Sequence, residues 1–149
     1  MKTFQPTQKE VKREWHLIDA RDEILGRLST KIAGLLMGKG KPTFSKHIDS
    51  GDFVVVINAD KIMVTGKKAQ EKVYRSHSGY PGGFKERKFS AIMETHPERI
   101  IEHAVSGMIP DNRLKAARMS RLKVVVGDKN PYQDKFEARD SNSVKSAKV

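Results

Sequence analysis

His47, Asp49 and Asp52 form the one compact group in the sequence whose residue types suit acid–base or metal chemistry. A small metal- or phosphate-dependent hydrolase would need them to converge in a partly buried site. Their setting favours a structural role, because Ser50-Gly51-Asp52 has turn composition just ahead of an apolar run, where Asp serves backbone hydrogen bonding. His96 and His103 lack the H-E-x-x-H pattern that places two imidazoles and a carboxylate on one helix face, so they are poor evidence for zinc. Cysteine is absent, which excludes disulfides, thiolate metal sites and a cysteine nucleophile. The residues therefore offer no catalytic constellation, no cofactor set and no small-molecule substrate site.

Gly38-Lys39-Gly40-Lys41 and Gly66-Lys67-Lys68 resemble fragments of a phosphate-cradling loop. That loop requires G-x-x-x-x-G-K-[ST] between a strand and a helix N-terminus. Here Gly34 is too close to Gly38, Gly40 stands where the hydroxyl residue belongs, and the loop follows a helix C-terminus, the wrong dipole end for an anion. Simple phosphate contacts by Lys39, Lys41, Lys67 and Lys68 remain the expectation. The stretch from Lys72 to Lys88 is richer. It sets His77-Ser78-Gly79-Tyr80-Pro81-Gly82-Gly83 between Arg75 and the group Lys85, Arg87 and Lys88. Glycines let a backbone approach phosphate closely, the cations neutralise it, and Tyr74, His77, Tyr80 or Phe84 can stack on an unpaired base. The competing reading is a surface loop whose aromatics anchor it to the core, and the flanking cations favour RNA.

These segments need elements to position them. Trp15 to Ala20 reads as a strand, and Arg21-Asp22-Glu23 as a turn whose acids suit a helix start. Leu25, Leu28, Ile32, Leu35 and Leu36 then make one apolar stripe, ended by Gly38, with Arg27 and Lys31 off it as candidate phosphate contacts. Phe53 to Ile57 is continuously apolar and β-branched, the pattern of a strand buried on both faces of a parallel sheet, and Leu122 to Val126 repeats it. Ile100, Ile101, Ala104, Val105 and Met108 recur at helical spacing from Pro97 to Met108, behind a Thr95-x-x-Glu98 capping-box pattern. Asp111-Asn112 can cap a further helix reaching about Arg121. There Arg113, Lys115, Arg118 and Arg121 point in several directions around Ala116 and Ala117, leaving no wide apolar face. Such a helix is expected to be embedded in RNA, with Arg118 and Arg121 dispensable for the core. Alternating strands and helices predict an α/β domain with a largely parallel sheet and helices on both sides.

The chain has 149 residues, 37% of them hydrophobic, which suits a single domain with a modest core. The longest apolar run is too short for a bilayer and the N-terminus lacks an apolar signal segment, so a cytoplasmic protein with no membrane association is expected. Net charge is +11, and its placement says more than its size. Residues 27–46, 61–90 and 112–123 carry +5, +6 and +5, while everything else sums to −5. Three acid-poor blocks on one domain point to a polyanionic partner. From about Asp128 onward the chain turns polar and is expected to be extended or disordered.

Gly26-Arg27-Leu28, Gly38-Lys39, Asp49-x-Gly51-Asp52, Val56-Ile57-Asn58-Ala59, Thr65-Gly66-Lys67-Lys68, His77-Ser78-Gly79-Tyr80-Pro81-Gly82-Gly83 and Gly107-Met108-Ile109-Pro110 follow one another in an order that resembles the bacterial ribosomal protein L thirteen family. The likeness runs from about Trp15 to Gly127, with a short extension before it and the tail after it, and the H-S-G-Y-P-G-G run is its strongest piece. It implies a three-layer α/β/α domain with a mainly parallel four-stranded sheet. It also implies binding to large-subunit ribosomal RNA, a part in early subunit assembly, and contacts with neighbouring large-subunit ribosomal proteins. The chain departs from the family pattern at Asn130-Pro131-Tyr132, where relatives usually carry H-P-H, and at Asp111, which replaces a commonly basic residue.

Overall fold

The computed structural model describes residues 6–8 and 10–136. The central strand is β2 (Phe53–Ile57), flanked in parallel by β1 (Trp15–Asp19) and β5 (Leu122–Val124). Register runs from Trp15 opposite Phe53 to Asp19 opposite Ile57 on one side, and from Val54 opposite Leu122 to Val56 opposite Val124 on the other. The unbroken apolar run explains the central place of β2, since Val54 to Val56 are wholly buried. β5 is shorter than its apolar run: Val125 still donates its N–H to Val56 at 2.8 Å, but Val126 is exposed.

Helix α1 (Leu25–Met37) and helix α4 (Pro97–Met108) pack against each other over the face carrying Val54 and Val56. Leu28, Ile32, Leu36, Ile100, Ile101 and Val105 supply the buried seam, at the spacing read from the sequence. Both helices begin differently from expectation. The acids ahead of α1 stay outside it, Asp22 takes φ 59° in the turn, and the Leu25 N–H is satisfied by the Met63 carbonyl at 2.9 Å. At α4 the capping box does not form, because the Thr95 hydroxyl donates back to Ala91 O at 2.9 Å and Pro97 opens the helix.

Two corrections concern architecture. Among the described residues the parallel sheet has three strands, not four, and beyond it Ile24 and Met63 make only an isolated bridge. The remaining strands, β3 (Val73–His77) and β4 (Phe84–Lys88), pair antiparallel as a separate hairpin. Between the two sheets lie a short 3-10 turn (Ala59–Lys61) and α2 (Lys68–Glu71), and α3 (Phe89–Thr95) joins the hairpin to α4. The second correction is at the C-terminal end. Tyr132 and Phe136, expected in an extended tail, lie over Trp15 with ring centroids 6.0 and 6.1 Å away, and residues 133–136 are helical. Trp15 stacks on Phe53 at 4.4 Å, so this aromatic group lies on the sheet face opposite the one carrying Val54 and Val56, where Leu17 stays exposed. Residues 137–149 of the expected tail, and Met1 to Gln5 of the N-terminal extension, lie outside the described residues.

Candidate nucleic-acid interface

The hairpin is the element most clearly built to meet a partner. All five residues of β4 are exposed, as are the last three of β3, so neither face of the ribbon is covered for most of its length. A two-stranded ribbon gains little stability alone, and this one is rooted only at its base, through half-buried Val73 and Tyr74 and buried Phe89. The loop from Ser78 to Gly83 is internally ordered. Ser78 N–H donates to Gly83 O at 3.2 Å, Gly83 N–H to Tyr80 O at 2.9 Å, and Gly79 N–H to His77 Nδ1 at 2.9 Å. Gly79 and Gly82 take φ 86° and 73°, a region that side chains disfavour, which is the physical reason for glycine at these two positions. Tyr80 and Phe84 stand 75% and 57% exposed on the same hairpin as exposed Lys85, Arg87 and Lys88. Arg75 is partly committed, its Nε donating to Glu86 across the ribbon at 2.8 Å.

The other predicted contacts separate by accessibility. Arg27, Lys39, Lys67, Lys68 and Arg113 are exposed. Lys31 is exposed but reaches Glu23 at 2.9 Å, and Lys115 pairs with Asp111 at 3.2 Å. Lys41 turns inward, donating to the Lys12 carbonyl at 2.7 Å and to Asp52. Burial pushes the Asp52 carboxyl up, but Lys41, the Glu14 N–H at 2.9 Å and His16 together outweigh it and hold that carboxyl below the ordinary 3.8.

Arg118 and Arg121 contradict expectation outright. They lie on and just after α5 (Lys115–Ser120), only 2% and 6% exposed, and converge on Asp49, itself 6% exposed. Arg121 grips the carboxylate through both terminal nitrogens, one to Oδ1 at 2.6 Å and the other to Oδ2. Arg118 Nε lies 3.6 Å from Oδ1, and Arg13 reaches the same carboxylate at 3.7 Å. A buried fork-to-fork pair of this kind anchors the short helix. Both arginines are thus spent on Asp49 inside the fold, so they are part of the core and not dispensable to it. Ser50 to Asp52 is not the expected turn, which lies instead at residues 46–48, although Asp52 does accept a backbone N–H, from Glu14 at 2.9 Å. Gly51 passes so close to the Leu36 carbonyl that a Cβ would collide with it. His47 is exposed and apart, so His47, Asp49 and Asp52 do not converge.

One group was missed in the sequence. His96, Arg99, Ile100 and His103 recur at helical spacing along α4 and its N-terminal boundary, facing the hairpin across a cleft of about 600 Å³. Only the fold brings them opposite Tyr74, Ser76, Lys85 and Arg87, although the i, i+3, i+4, i+7 spacing is legible once the helix is assigned. Tyr74 lies 5.3 Å from the His103 ring and under Lys72 at 5.2 Å, and burial pushes its phenol up. No described helix is long and apolar enough to cross a membrane.

Fold and site together define a basic α/β protein whose exposed cations lie on the hairpin, the loops and the outer sides of helices, with buried Asp49 and Asp52 committed to pairs inside the fold. The family model described as Ribosomal protein L13 matches residues 13–131. The chain is 54% identical over 131 residues to the large ribosomal subunit protein uL13 of Prochlorococcus marinus subsp. pastoris, covering 88% of this chain and 92% of the relative. It is 52% identical over 132 residues to that of Roseiflexus sp., covering 89% and 90%, and 50% identical over 133 residues to that of Thermoanaerobacter sp., covering 89% and 93%. The chain belongs to the ribosomal protein L13 family, a family of structural ribosomal constituents and not of enzymes.

Proposed function

We propose that this protein is a structural constituent of the cytoplasmic large ribosomal subunit, where it binds large-subunit ribosomal RNA, touches neighbouring ribosomal proteins and supports early subunit assembly. The observation that carries the RNA reading is the hairpin, a ribbon uncovered by its own domain, with ordered glycine turns, two exposed aromatic rings and unpaired cations on β4. Backbone amides and cations suit phosphate, and the rings suit unstacked bases. Arg27, Lys39, Lys67, Lys68 and Arg113 extend the contact surface beyond the hairpin, while Arg118 and Arg121 act from inside the fold.

Large-subunit ribosomal RNA fits this surface better than a messenger RNA target does, because every family relative described above is named for the large subunit. Co-sedimentation tests the assignment. The protein in a cell lysate is expected with large subunits at near-equal stoichiometry, and its confinement to soluble fractions would overturn the proposal. Hydroxyl-radical footprinting on assembled subunits is expected to protect RNA next to the 77–88 segment.

A further inference from the structure

The cleft between the hairpin and α4 has a composition that the general basicity of the protein does not explain. Its volume, about 600 Å³, falls within the range of small-molecule sites, far more than a lone phosphate fills. In the β3–β4 register Tyr74 stands opposite Arg87 and Ser76 opposite Lys85, so these four side chains share one face of the ribbon. Arg99 faces them from α4, and buried Ile100 with half-buried Ile92 and Tyr74 makes an apolar floor. No carboxylate lines the cleft; Glu86 and Glu98 engage Arg75 and His96 from outside it. An apolar floor beneath a cationic rim selects a ligand with one flat, weakly polar part and one anionic part.

We propose that this cleft is a binding site for a single ribonucleotide unit, the base over the Tyr74–Ile92–Ile100 floor and the phosphate against Lys85, Arg87 and Arg99. This rests on the RNA-binding reading and deepens it, since a nucleotide extruded from a ribosomal RNA strand is the source that fits a protein of this family. A free mononucleotide shares the chemistry, and an acidic peptide shares only its charge. Held between ribbon and helix, the nucleotide would brace the hairpin, which has little packing of its own.

The test uses the full chain, with adenosine and uridine 5′-monophosphates as probes followed by NMR, and a large-subunit ribosomal RNA fragment followed by a binding assay. The nucleotides are expected to shift signals of Tyr74, Arg99 and His103, with inorganic phosphate at least about ten-fold weaker because it cannot use the floor. Arg87→Ala and Arg99→Ala should each weaken nucleotide binding about ten-fold, while Lys129→Ala should not. Both arginines are exposed, so unchanged thermal melts separate lost binding from lost folding. Ile92→Trp, which fills the floor without altering charge, should weaken the RNA fragment as well as the nucleotide. If Ile92→Trp keeps its fold and binds the RNA fragment like the parent chain, the extruded-nucleotide site is overturned while RNA binding stands. If the parent chain fails to bind the RNA fragment at all, the RNA reading itself falls and takes this site with it. Equal perturbation by inorganic phosphate or by an acidic peptide would reduce the cleft to a plain anion patch and overturn the proposal.

Discussion

Asp49 carries more structural responsibility than any other ionisable residue described, because Arg121, Arg118 and Arg13 all lean on one buried carboxylate. Removing one partner of such a group leaves uncompensated charge in the interior, at a cost of about 3 to 5 kcal/mol. Asp49→Asn is accordingly expected to lower the thermal midpoint sharply, measured by circular dichroism without RNA, and Arg121→Ala should behave alike. An unchanged midpoint in both would contradict the anchoring role. Asp52 makes a pH statement. Its folded-state carboxyl is held below 3.8, so the stability it contributes is fully present above that value and is lost as pH falls through the lower folded value. Acid unfolding of the parent chain should thus steepen below about pH 4. Asp52→Asn should flatten that part of the profile, while lowering stability at neutral pH by removing the charge that pairs with Lys41.

Elements differ in how much of their placement comes from their own residues. Helices α1 and α4 have apolar stripes wide enough to dictate their packing, and their spans follow the sequence closely, Pro97–Met108 without any change. The hairpin has no such stripe. Replacing Lys85, Arg87 and Lys88 together by Ala should leave the thermal midpoint nearly unchanged, since all three are exposed, while sharply weakening the RNA fragment. A large loss of stability without RNA would show that the ribbon is part of the core. The C-terminal segment behaves oppositely. Tyr132 and Phe136 stack around Trp15, and aromatic pairs contribute about 0.5 to 1.5 kcal/mol each beyond burial. Tyr132→Ala with Phe136→Ala should therefore destabilise the isolated protein by about 1 to 3 kcal/mol in urea melts. No effect would mean that the segment merely rests on Trp15.

At the scale of the whole molecule, charge is sorted by depth. The exposed cations lie on the ribbon, the loops and the outer sides of the helices, whereas buried Arg118 and Arg121 close on Asp49 and half-buried Lys41 on Asp52. RNA affinity should fall steeply with salt, with a log–log slope of about −0.7 to −0.9 per neutralised phosphate on the DNA scale, and the triple hairpin variant should show a shallower slope. A salt-independent affinity would overturn the phosphate-contact assignment. The sequence by itself determined the buried central strand, the two amphipathic helices, the basic blocks and the family, because continuous β-branched runs, helical periodicity and ordered motifs are properties of local order along the chain. Only the tertiary structure decided that Arg118 and Arg121 point inward to Asp49, that 73–77 and 84–88 pair into a ribbon, and that Arg99 faces that ribbon across a cleft. The reason is physical. An arginine reads the same in sequence whether it faces phosphate or a carboxylate that lies far away along the chain, and the choice is made only when folding brings that carboxylate within reach and removes the water between them.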